Sequence, residues 1–406
     1  MEIVVQKFGG TSVRDKESRQ RAMSHIKQAV KEGYKVVVAV SAMGRKGEPY
    51  ATDTLLSLVD YPNTTLSSRE QDLIMSCGEV ISSVVFSDEL SKSGVTSTAL
   101  TGAQAGFLTN SDFTKAKIID MKPERILQEL NDLDVVVVAG FQGKNESGDT
   151  TTFGRGGSDT TAAALGAALN AEYVDIFTDV EGIMTADPRL VESARTMEQI
   201  TYNEISNLAY QGAKVIHPRA VEIAMHAKVP LRVRSTYSDL PGTLVSASVE
   251  GEKGSDIDDR LVTGIAHMTG ITQLSIPLES DDGSSQSKVF GIMADAGISV
   301  DFINISPQSI VFTIDGSFTD KAADLLKNAG YEPVVREDCA KVSTVGAGIA
   351  GVPGVTSKIV NTLMTAGVQI LQSADSHTTI WVLIKEDDIK EAVNALHSIF
   401  QLNENR

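Results

Sequence analysis

The sequence predicts an α/β protein: a three-layer αβα sandwich around a mostly parallel sheet, followed by two ferredoxin-like units of βαββαβ topology. Two observations predict this fold class. Between residues 1 and 240, short apolar segments alternate with helical patterns, and several segments are apolar on both faces, as strands of a helix-covered parallel sheet are. After residue 260, the sequence repeats itself with a spacing of 70 residues, which indicates two copies of one small unit.

Runs rich in β-branched residues predict the strands of the first part. They are Ile3–Phe8, Lys35–Ser41, Val95–Thr101, Asp134–Ala139, Tyr173–Thr178 and Val229–Ser235. A long helix is predicted over Arg69–Ser91, with an apolar stripe facing the core and Glu79 off that stripe. The stripe consists of Leu73, Cys77, Val80, Ile81 and Val84. A second helix runs through Thr161–Leu169, and either Ser158 or Asp159 is its predicted N-cap.

Residues 241–260 are rich in glycine, serine and charge and show no periodicity, so they are predicted to form a linker. The predicted domains are 1–240, 261–335 and 336–406. The repeat aligns Ile310–Ile314 with Ile380–Ile384. Because each such unit leaves a sheet edge open, we expect the units to pair edge to edge, within the chain or across a dimer.

Composition excludes several classes of protein. The net charge of −17 argues against a nucleic-acid or anionic-membrane surface, so phosphate binding would depend on a few placed Lys and Arg residues. No apolar run approaches the length of a membrane span, and Glu2 stands where a signal peptide would be positive. Cys77 and Cys339 form no C-x-x-C motif and are predicted to be reduced core thiols of a cytoplasmic protein. The histidines show no ligand spacing, so no metal site is predicted.

The stretch Ile3–Val13 holds a candidate phosphate site. A buried strand leads through Lys7 into the glycine pair Gly9 and Gly10, followed by two hydroxyl residues of the kind that start a helix. The turn exposes backbone N–H groups, and the helix start adds a partial positive charge. It is not a Walker A loop, because the lysine precedes the glycines. Taken alone, the stretch fits an ordinary βα turn with a surface lysine equally well.

Two further polar segments follow predicted strands. Arg155–Asp159 is a second glycine-rich turn at a helix start, where Arg155 could clamp a carboxylate and the N–H groups could hold an anion. Thr178–Arg189 follows a strand directly, at the end where open α/β sheets place ligands. A capped helix and a solvated loop would explain each segment singly. Two anion-binding turns on one sheet are harder to explain as caps.

A third glycine motif, Gly346–Gly351, formally matches the G-x-G-x-x-G dinucleotide fingerprint. It lies inside the repeat, whose first copy has no such glycines, and no βαβ nucleotide-binding half surrounds it. A Rossmann site is therefore disfavoured.

Taken together, these motifs resemble the aspartokinases, the ATP-dependent aspartate kinases of the amino-acid-kinase fold with C-terminal ACT domains. The likeness covers nearly the whole chain and is to the monofunctional Gram-positive isoenzymes of diaminopimelate and lysine synthesis. The stretches that carry it are Lys7–Val13, Val40–Met43, Ala51–Asp53, Ser76–Glu79, Gly154–Asp159, Thr178–Arg189, Gly212–Pro218 and, for the ACT pair, Val345–Val355.

The resemblance implies ATP and Mg²⁺ as cofactors and L-aspartate as substrate. The implied nucleotide residues are Lys7, Phe8, Gly9, Gly10, Ser41, Thr178, Asp179, Met184, Thr185, Asp187, Arg189 and Lys214. The implied aspartate residues are Thr52, Glu79, Arg155, Gly156, Gly157 and Ser158. Glu79 would meet the substrate ammonium and Arg155 a carboxylate. Lys7, Asp159 and Lys214 would be catalytic, with Asp159 orienting Lys7.

The resemblance also implies feedback inhibition by diaminopimelate or lysine at the ACT units. The open sheet edges of these two units predict a homodimer through residues 261–406. The candidate effector ligands are Ile298, Val300, Asp301 and Asn304. One departure concerns the effector loop. The first unit has Asp282–Ser284 where the second has Val352–Gly354, which contains the Pro-Gly often found there in this family.

The implied chemistry needs no general base, because a β-carboxylate of pKa roughly 3.9 is already ionised at neutral pH. Positioning and charge neutralisation remain for the protein to supply. Two alternatives stay open. A kinase of the same fold could act on glutamate or acetylglutamate, although Glu79 argues against an acetylated amine. A catalytically inactive amino-acid sensor is disfavoured by the intact Lys7, Asp159, Asp179 and Lys214.

Overall fold

The computed structural model describes residues 1–213, 215–247, 261–278, 284–346, 349 and 352–404. Contacts divide the chain into two compact units. The first unit comprises Met1–Ile183, Thr196–Ala209 and Lys214–Asp256. The second unit comprises Met184–Arg195, Tyr210–Ala213 and Ile257–Arg406.

The first unit contains two sheets and the helices that cover them. Its strands are β1 (Ile3–Phe8), β2 (Lys35–Val40), β3 (Ser97–Leu100), β4 (Phe107–Thr109), β5 (Ile118–Met121), β6 (Val135–Ala139), β7 (Gln142–Lys144), β8 (Thr150–Thr152), β9 (Val174–Thr178), β10 (Gln199–Thr201), β11 (Leu231–Ser235) and β12 (Thr243–Ser246). Its helices are α1 (Gly10–Val13), α2 (Lys16–Lys31), α3 (Thr52–Ser57), α4 (Ser68–Lys92), α5 (Gly102–Ala105), α6 (Glu124–Asp132), α7 (Gly157–Leu169), α8 (Tyr202–Tyr210) and α9 (Pro218–Ala227).

The central sheet has the strand order β10-β12-β11-β9-β1-β2-β6-β3 among the described residues, and every neighbouring pair is parallel except β11–β12. Val36–Val40 and Val135–Ala139 are buried throughout, because helices lie on both faces. α2 and α4 pack on one face through residues such as Ile26 and Phe86, and α7 packs on the other. A smaller sheet has the order β5-β4-β7-β8. The predicted three-layer class is confirmed, and each predicted strand is present within two residues of its expected bounds.

The predicted orientation of α4 is wrong. Its apolar stripe was expected to face the core, yet Leu73 and Val84 are 51% and 56% exposed and Cys77 is exposed as well. Cys339 is buried as predicted, but Cys77 is not a core thiol. The buried face consists of small and polar residues: Asp72, Met75, Ser76, Gly78, Glu79, Ser82, Ser83, Phe86, Ser87 and Leu90. Periodicity identified the helix but not the buried face, since this helix places polar groups inward.

Two smaller expectations are also corrected. The N-cap of α7 is Gly156, in the left-handed region with φ 70°, and no side chain caps the helix. Ser158 and Asp159 lie two and three positions after this cap, in the first turn, where their side chains are available for other contacts. Within the predicted linker, Thr243–Ser246 forms β12 and pairs with β10 and β11. The linker residues 248–260 lie outside the described residues.

The second unit is built around one sheet with the order β14-β15-β13-β16-β18-β17, as far as the described residues show. Its strands are β13 (Gly264–Pro277), β14 (Asp301–Ser306), β15 (Ser309–Asp315), β16 (Val334–Val345), β17 (Gln372–Asp375) and β18 (Thr379–Lys385). Its helices are α10 (Ser284–Asp295), α11 (Thr319–Asn328), α12 (Val355–Thr365) and α13 (Ile389–Ile399), with 3₁₀ turns at Gly316–Phe318 and Glu386–Asp388.

The two copies of the repeat share strands. β15 and β18 lie 70 residues apart, as predicted. Residues 271–277 of β13 pair with β15, whereas residues 264–268 of the same strand pair with 341–345 of β16, next to β18. The strand that completes the second copy therefore precedes the first copy in sequence. The predicted boundary between residues 335 and 336 falls inside β16.

Candidate active site

The candidate site lies at the carboxyl ends of β1, β2, β6 and β9, which meet at one edge of the central sheet because the strands are parallel. Lys7 is near the end of β1, Ser41 follows β2, and Thr178 ends β9. The N-terminus of α7 reaches the same edge: a Cβ on Gly140, just after β6, would lie 3.0 Å from Oγ of Ser158. The structure therefore brings together residues from both predicted glycine turns.

Lys7 is held by Asp159 of α7. Its Nζ lies 2.7 Å from Oδ1 of Asp159, and both side chains are mostly buried. The backbone N–H of His217 donates to Oδ2 of the same carboxylate at 3.3 Å. A Cβ on Gly9 would lie 3.4 Å from Nζ of Lys7, so the ammonium group sits over the glycine turn. An oriented cation and a turn of exposed N–H groups together form a site suited to phosphate.

The turn before α7 depends on Gly156 and His217. Gly156 has φ 70°, which disfavours a side chain, and a Cβ there would overlap the His217 imidazole. Burial lowers the pKa of His217, so its ring is neutral at pH 7. His217 also caps α9, because its Nδ1 accepts from the Arg219 N–H. The sequence analysis did not single out His217, although the stretch Gly212–Pro218, which helps to carry the resemblance, contains it.

Glu79 projects inward from α4, and only one of its two carboxylate oxygens has a hydrogen-bond partner among the described residues. It is 3% exposed, and its Oε1 accepts from the backbone N–H of Ala42 at 3.1 Å. Its Oε2 is buried and has no hydrogen-bond partner among the described residues. Burial raises the pKa of Glu79 from its ordinary value of 4.5 to about 8. An unpaired buried acceptor of this kind is suited to a charged donor supplied by a ligand.

The other residues that were predicted to bind the substrate aspartate differ in their exposure and position. Arg155 is exposed and makes no hydrogen bond or ion pair within the described ranges, so its guanidinium is available to a ligand. Ser158 is buried, and Thr52 begins α3. Phe8 is fully buried and its ring stacks on Phe177 at 4.7 Å, so only its backbone can reach a nucleotide.

Asp179, predicted on the nucleotide side, pairs with a cation that the sequence analysis missed. Nη2 of Arg45, in the loop after β2, lies 3.0 Å from Oδ2 of Asp179. Both side chains are largely exposed, and Oγ1 of Thr178 donates to the other carboxylate oxygen at 3.2 Å. Arg45 lies 134 residues from Asp179 in sequence, so nothing local indicated the pair.

Four of the remaining predicted nucleotide residues belong to the second unit: Met184, Thr185, Asp187 and Arg189. Thr185 is buried, and its hydroxyl lies 2.9 Å from Nε2 of His397. Asp187 pairs with Arg189, and that hydrogen bond lowers the pKa of the Asp187 carboxyl. Met184 lies on the same segment, Met184–Arg195, of the second unit. Lys214 lies outside the described residues. The nucleotide role of these residues stays a prediction.

The candidate effector residues lie in the first copy of the repeat. Ile298 is buried in its core, and Asn304 is exposed on β14. Val300 packs against the same core and is half-buried. Nζ of Lys341, on β16, lies 2.6 Å from Oδ2 of Asp301. Burial would raise the pKa of Asp301, but the Lys341 ammonium outweighs it and the pKa is lowered. Lys341 was not predicted, and part of the effector loop, 279–283, lies outside the described residues.

A cavity of about 870 Å³ lies elsewhere in the first unit, between α2 and the sheet. It is lined by Gln6, His25, Tyr173, Arg232 and Arg234, among others, and by none of the predicted site residues. Arg232 forms a bidentate pair with the buried Asp175, at 2.6 and 2.8 Å. This cavity is therefore separate from the candidate site.

Within the described part of the chain, no three His, Cys, Asp or Glu side chains are grouped as metal ligands. In that same part, no helix is both long and apolar enough to cross a membrane.

Comparison with known families identifies two of them in this chain. A model of the amino acid kinase family matches residues 2–235, and a model of the ACT domain matches residues 334–398. The first match spans more than half of the chain, so the chain belongs to the amino acid kinase family.

Individual relatives show which group within the amino acid kinase family this chain resembles. The chain is 63% identical over 403 residues to aspartokinase 1 of Bacillus subtilis strain 168, covering 99% of this chain and 100% of that protein. It is 39% identical to the aspartokinase of Mycolicibacterium smegmatis, with 99% and 97% covered. The structure of E. coli aspartokinase III in complex with aspartate and ADP superposes with a TM-score of 0.78 at 28% identity, over 98% of this chain and 99% of that chain. The chain belongs to the aspartokinases.

Proposed function

We propose that this chain transfers the γ-phosphoryl group of ATP to the β-carboxylate of L-aspartate, producing ADP and 4-phospho-L-aspartate. The observation that carries the proposal is the Lys7 ammonium, held 2.7 Å from Asp159 over the glycine turn at the end of β1. The unpaired Oε2 of Glu79 at the same sheet edge supplies a partner for an amino-acid substrate. E. coli aspartokinase III, which was solved with aspartate and ADP, supports this choice of substrates.

Glu79 recognises the substrate ammonium. Without substrate its carboxyl is largely protonated at pH 7, because burial raises its pKa to about 8. A neighbouring ammonium favours the ionised form and lowers that pKa, so binding of the substrate and loss of the Glu79 proton occur together. The exposed Arg155 guanidinium pairs with the α-carboxylate. These two contacts leave the β-carboxylate as the reactive end.

Phosphoryl transfer then requires charge neutralisation and no proton acceptor. The β-carboxylate is ionised at neutral pH and attacks the γ-phosphorus directly. Lys7 and the N–H groups of the turn at Gly9 and Gly10 offset the charge on the phosphate oxygens. Asp159 keeps Lys7 oriented, and Arg45 is a further cation for the nucleotide phosphates. No step needs a catalytic histidine.

Mg²⁺ completes the proposed cofactor set. This ion usually binds through substrate phosphates and one or two carboxylates, without a dedicated protein cage. The exposed carboxylate of Asp179 fits that donor set, and no larger acidic group occurs among the described residues. When bound with ATP, Mg²⁺ supplies further neutralisation of phosphate charge.

We further propose that an amino acid, diaminopimelate or lysine, inhibits the enzyme at the ACT units, and that the chain forms a homodimer through residues 261–406. The structure of E. coli aspartokinase III with lysine and aspartate supports an amino-acid effector. Asp301 and Asn304 are suited to an α-amino acid, which needs an acceptor and a donor. β14 and β17 are sheet edges open to a second subunit, as far as the described residues show.

A coupled ADP-release assay with aspartate, glutamate and acetylglutamate tests the activity. We expect turnover with aspartate alone. Preference for either of the other acids would contradict the substrate assignment, and no turnover with any acid would favour an inactive sensor. The same assay with diaminopimelate, lysine, threonine and methionine, singly and in pairs, tests the regulation, which fails if none of them inhibits.

A further inference from the structure

The imidazole of His217 lies against the turn that carries Arg155. A Cβ built on Gly156 would overlap Cγ and Cδ2 of this ring. The Cγ–Cδ2 edge of the ring therefore faces the turn, and Nε2 is the atom bonded to Cδ2. Arg155, the residue before Gly156, is exposed and makes no hydrogen bond or ion pair within the described ranges. His217 thus lies beside the cation that pairs with the α-carboxylate in the proposed function.

The two nitrogens of the His217 ring have different surroundings. Nδ1 accepts from the backbone N–H of Arg219 at 3.3 Å and so caps α9. An accepting nitrogen carries no proton, so the proton of the neutral ring is on Nε2. Burial lowers the pKa of His217, which keeps the ring neutral at pH 7. Nε2–H is then a donor for which the described part of the chain provides no acceptor.

The charged groups around the ring leave this donor to an outside anion. Asp159 and Glu222 are the carboxylates that act on the ring, and Arg155 and Arg219 are the cations. Asp159 is already held in an ion pair and by the backbone N–H of His217. Neither carboxylate accepts from Nε2–H within the described residues. An anion that pairs with the exposed Arg155 guanidinium can therefore accept from Nε2–H as well.

We propose that His217 is a further substrate-binding residue, whose Nε2–H donates a hydrogen bond to the α-carboxylate that pairs with Arg155. This inference rests on the proposed function, because it takes aspartate as the ligand. Arg155 supplies charge to the carboxylate, and the ring, fixed by its cap contact, supplies direction. The backbone N–H of the same residue holds Asp159, so one segment orients both the substrate and the carboxylate that positions Lys7.

Two substitutions separate the roles of the two ring nitrogens. Glutamine places a donor where histidine has Nε2 but is a poor N-cap, whereas asparagine places an acceptor where histidine has Nδ1 and caps helices well. We expect His217→Asn to raise KM for aspartate by about ten- to a hundredfold, with little change in KM for ATP. His217→Gln should keep KM for aspartate close to the wild-type value and should lower the midpoint of thermal unfolding instead.

His226→Asn is the matched control, because His226 is exposed in the last turn of α9. It should leave both KM values unchanged, and circular dichroism checks that each variant is folded. A wild-type KM for aspartate in His217→Asn would overturn the proposal, since the cap alone would then account for the residue. Equal impairment of His217→Gln and His217→Asn would overturn it as well. A wild-type enzyme that does not phosphorylate aspartate at all would refute the proposed function and this inference together.

The α-amide of L-aspartate tests which carboxylate the ring contacts. This analogue keeps the reactive β-carboxylate but lacks the charge that makes the hydrogen bond from Nε2–H strong. We expect the ratio of kcat/KM for aspartate to kcat/KM for the amide to be smaller in His217→Asn than in wild type, because the variant has lost the discriminating contact. The same ratio in both enzymes would overturn the assignment of Nε2–H to the α-carboxylate.

Discussion

Nζ of Lys7 lies 2.7 Å from Oδ1 of Asp159, and this ion pair joins the end of β1 to the first turn of α7. The pair is more than a surface contact, since both side chains are mostly buried and the backbone N–H of His217 holds the second carboxylate oxygen. One lysine is thereby oriented by two separate segments of the first unit. Its position is set before any nucleotide arrives, which is the condition for effective electrostatic catalysis.

Lys7→Met should lower kcat by about 10²–10³-fold, because the variant keeps the apolar stem but loses the charge that offsets the transferring phosphoryl group. Lys35→Met is the matched control. Lys35 also forms an ion pair, with Asp134 at 3.1 Å, but at the start of β2, the opposite end of the sheet. Steady-state kinetics of both folded variants measures the effect. Equal kcat values for the two variants would remove Lys7 from the phosphate site.

Glu79→Gln should reduce kcat/KM for aspartate by about ten- to a hundredfold with little change in KM for ATP, since a charge-assisted contact of roughly 1.5–3 kcal/mol is lost. The pH profile is the sharper readout. Burial raises the pKa of Glu79 to about 8, so the wild-type kcat/KM for aspartate should rise with pH up to about 8. The variant should lack this rise. A profile that is the same in both enzymes would exclude Glu79 as the ammonium partner.

The stability of the substrate-free enzyme should also depend on Glu79. Unfolded, this carboxyl titrates near its ordinary pKa of 4.5, whereas in the folded chain its pKa is about 8. Between those values the folded state keeps a proton that the unfolded state has lost, so the free energy of unfolding falls as pH rises.

Between pH 6 and pH 8, the urea midpoint of unfolding should therefore fall more in wild type than in Glu79→Gln. The comparison between the two proteins matters, because burial lowers the pKa of His25 and His397 and gives the opposite trend in both. Saturating aspartate should shrink the difference. An equal pH dependence of the two proteins would contradict the raised pKa.

Lys341→Met should strengthen inhibition by the amino-acid effector, and Asp301→Ala should weaken it by about ten- to a hundredfold. Oδ2 of Asp301 already pairs with Nζ of Lys341 at 2.6 Å, so an effector ammonium has to displace that lysine to reach the carboxylate. The half-inhibitory concentration measures both changes. Lys327→Met, which removes an exposed charge from α11 of the same unit, serves as control. If all three variants respond as wild type does, the effector binds elsewhere.

The strands were predictable because each is a local run of β-branched residues, and the parallel arrangement followed from their two apolar faces. The polar residues at the strand ends were predictable because they directly follow these local runs in the sequence. The contact between Lys7 and Asp159 was expected only because the resemblance to the aspartokinases implied it, and the two side chains do form an ion pair. Periodicity could not predict which face of α4 is buried, because the buried face contains the polar residues Asp72 and Glu79.

Long-range polar pairs gave no signal in the sequence. Arg45 and Asp179 are 134 residues apart, and Lys341 and Asp301 are 40 apart. Each pair forms only because the sheet brings distant loops or strands together. The shared strands of the repeat were hidden in the same way, since a repeat shows which segments are alike but not which of them are neighbours.

β13 and β16 each contribute to both copies of the repeat. The folded repeat therefore cannot be cut at the residue where its two sequence copies meet. Cleavage at residue 335 would sever β16 and leave two incomplete sheets. A shorter polypeptide made from an internal start would have to begin before Gly264 to keep the strand beside residues 341–345. Even then it would lack Ala186 and Val191, which are buried in the same core as Ile359. An excised regulatory piece would thus expose apolar surface that the full chain covers, and would depend on association to hide it.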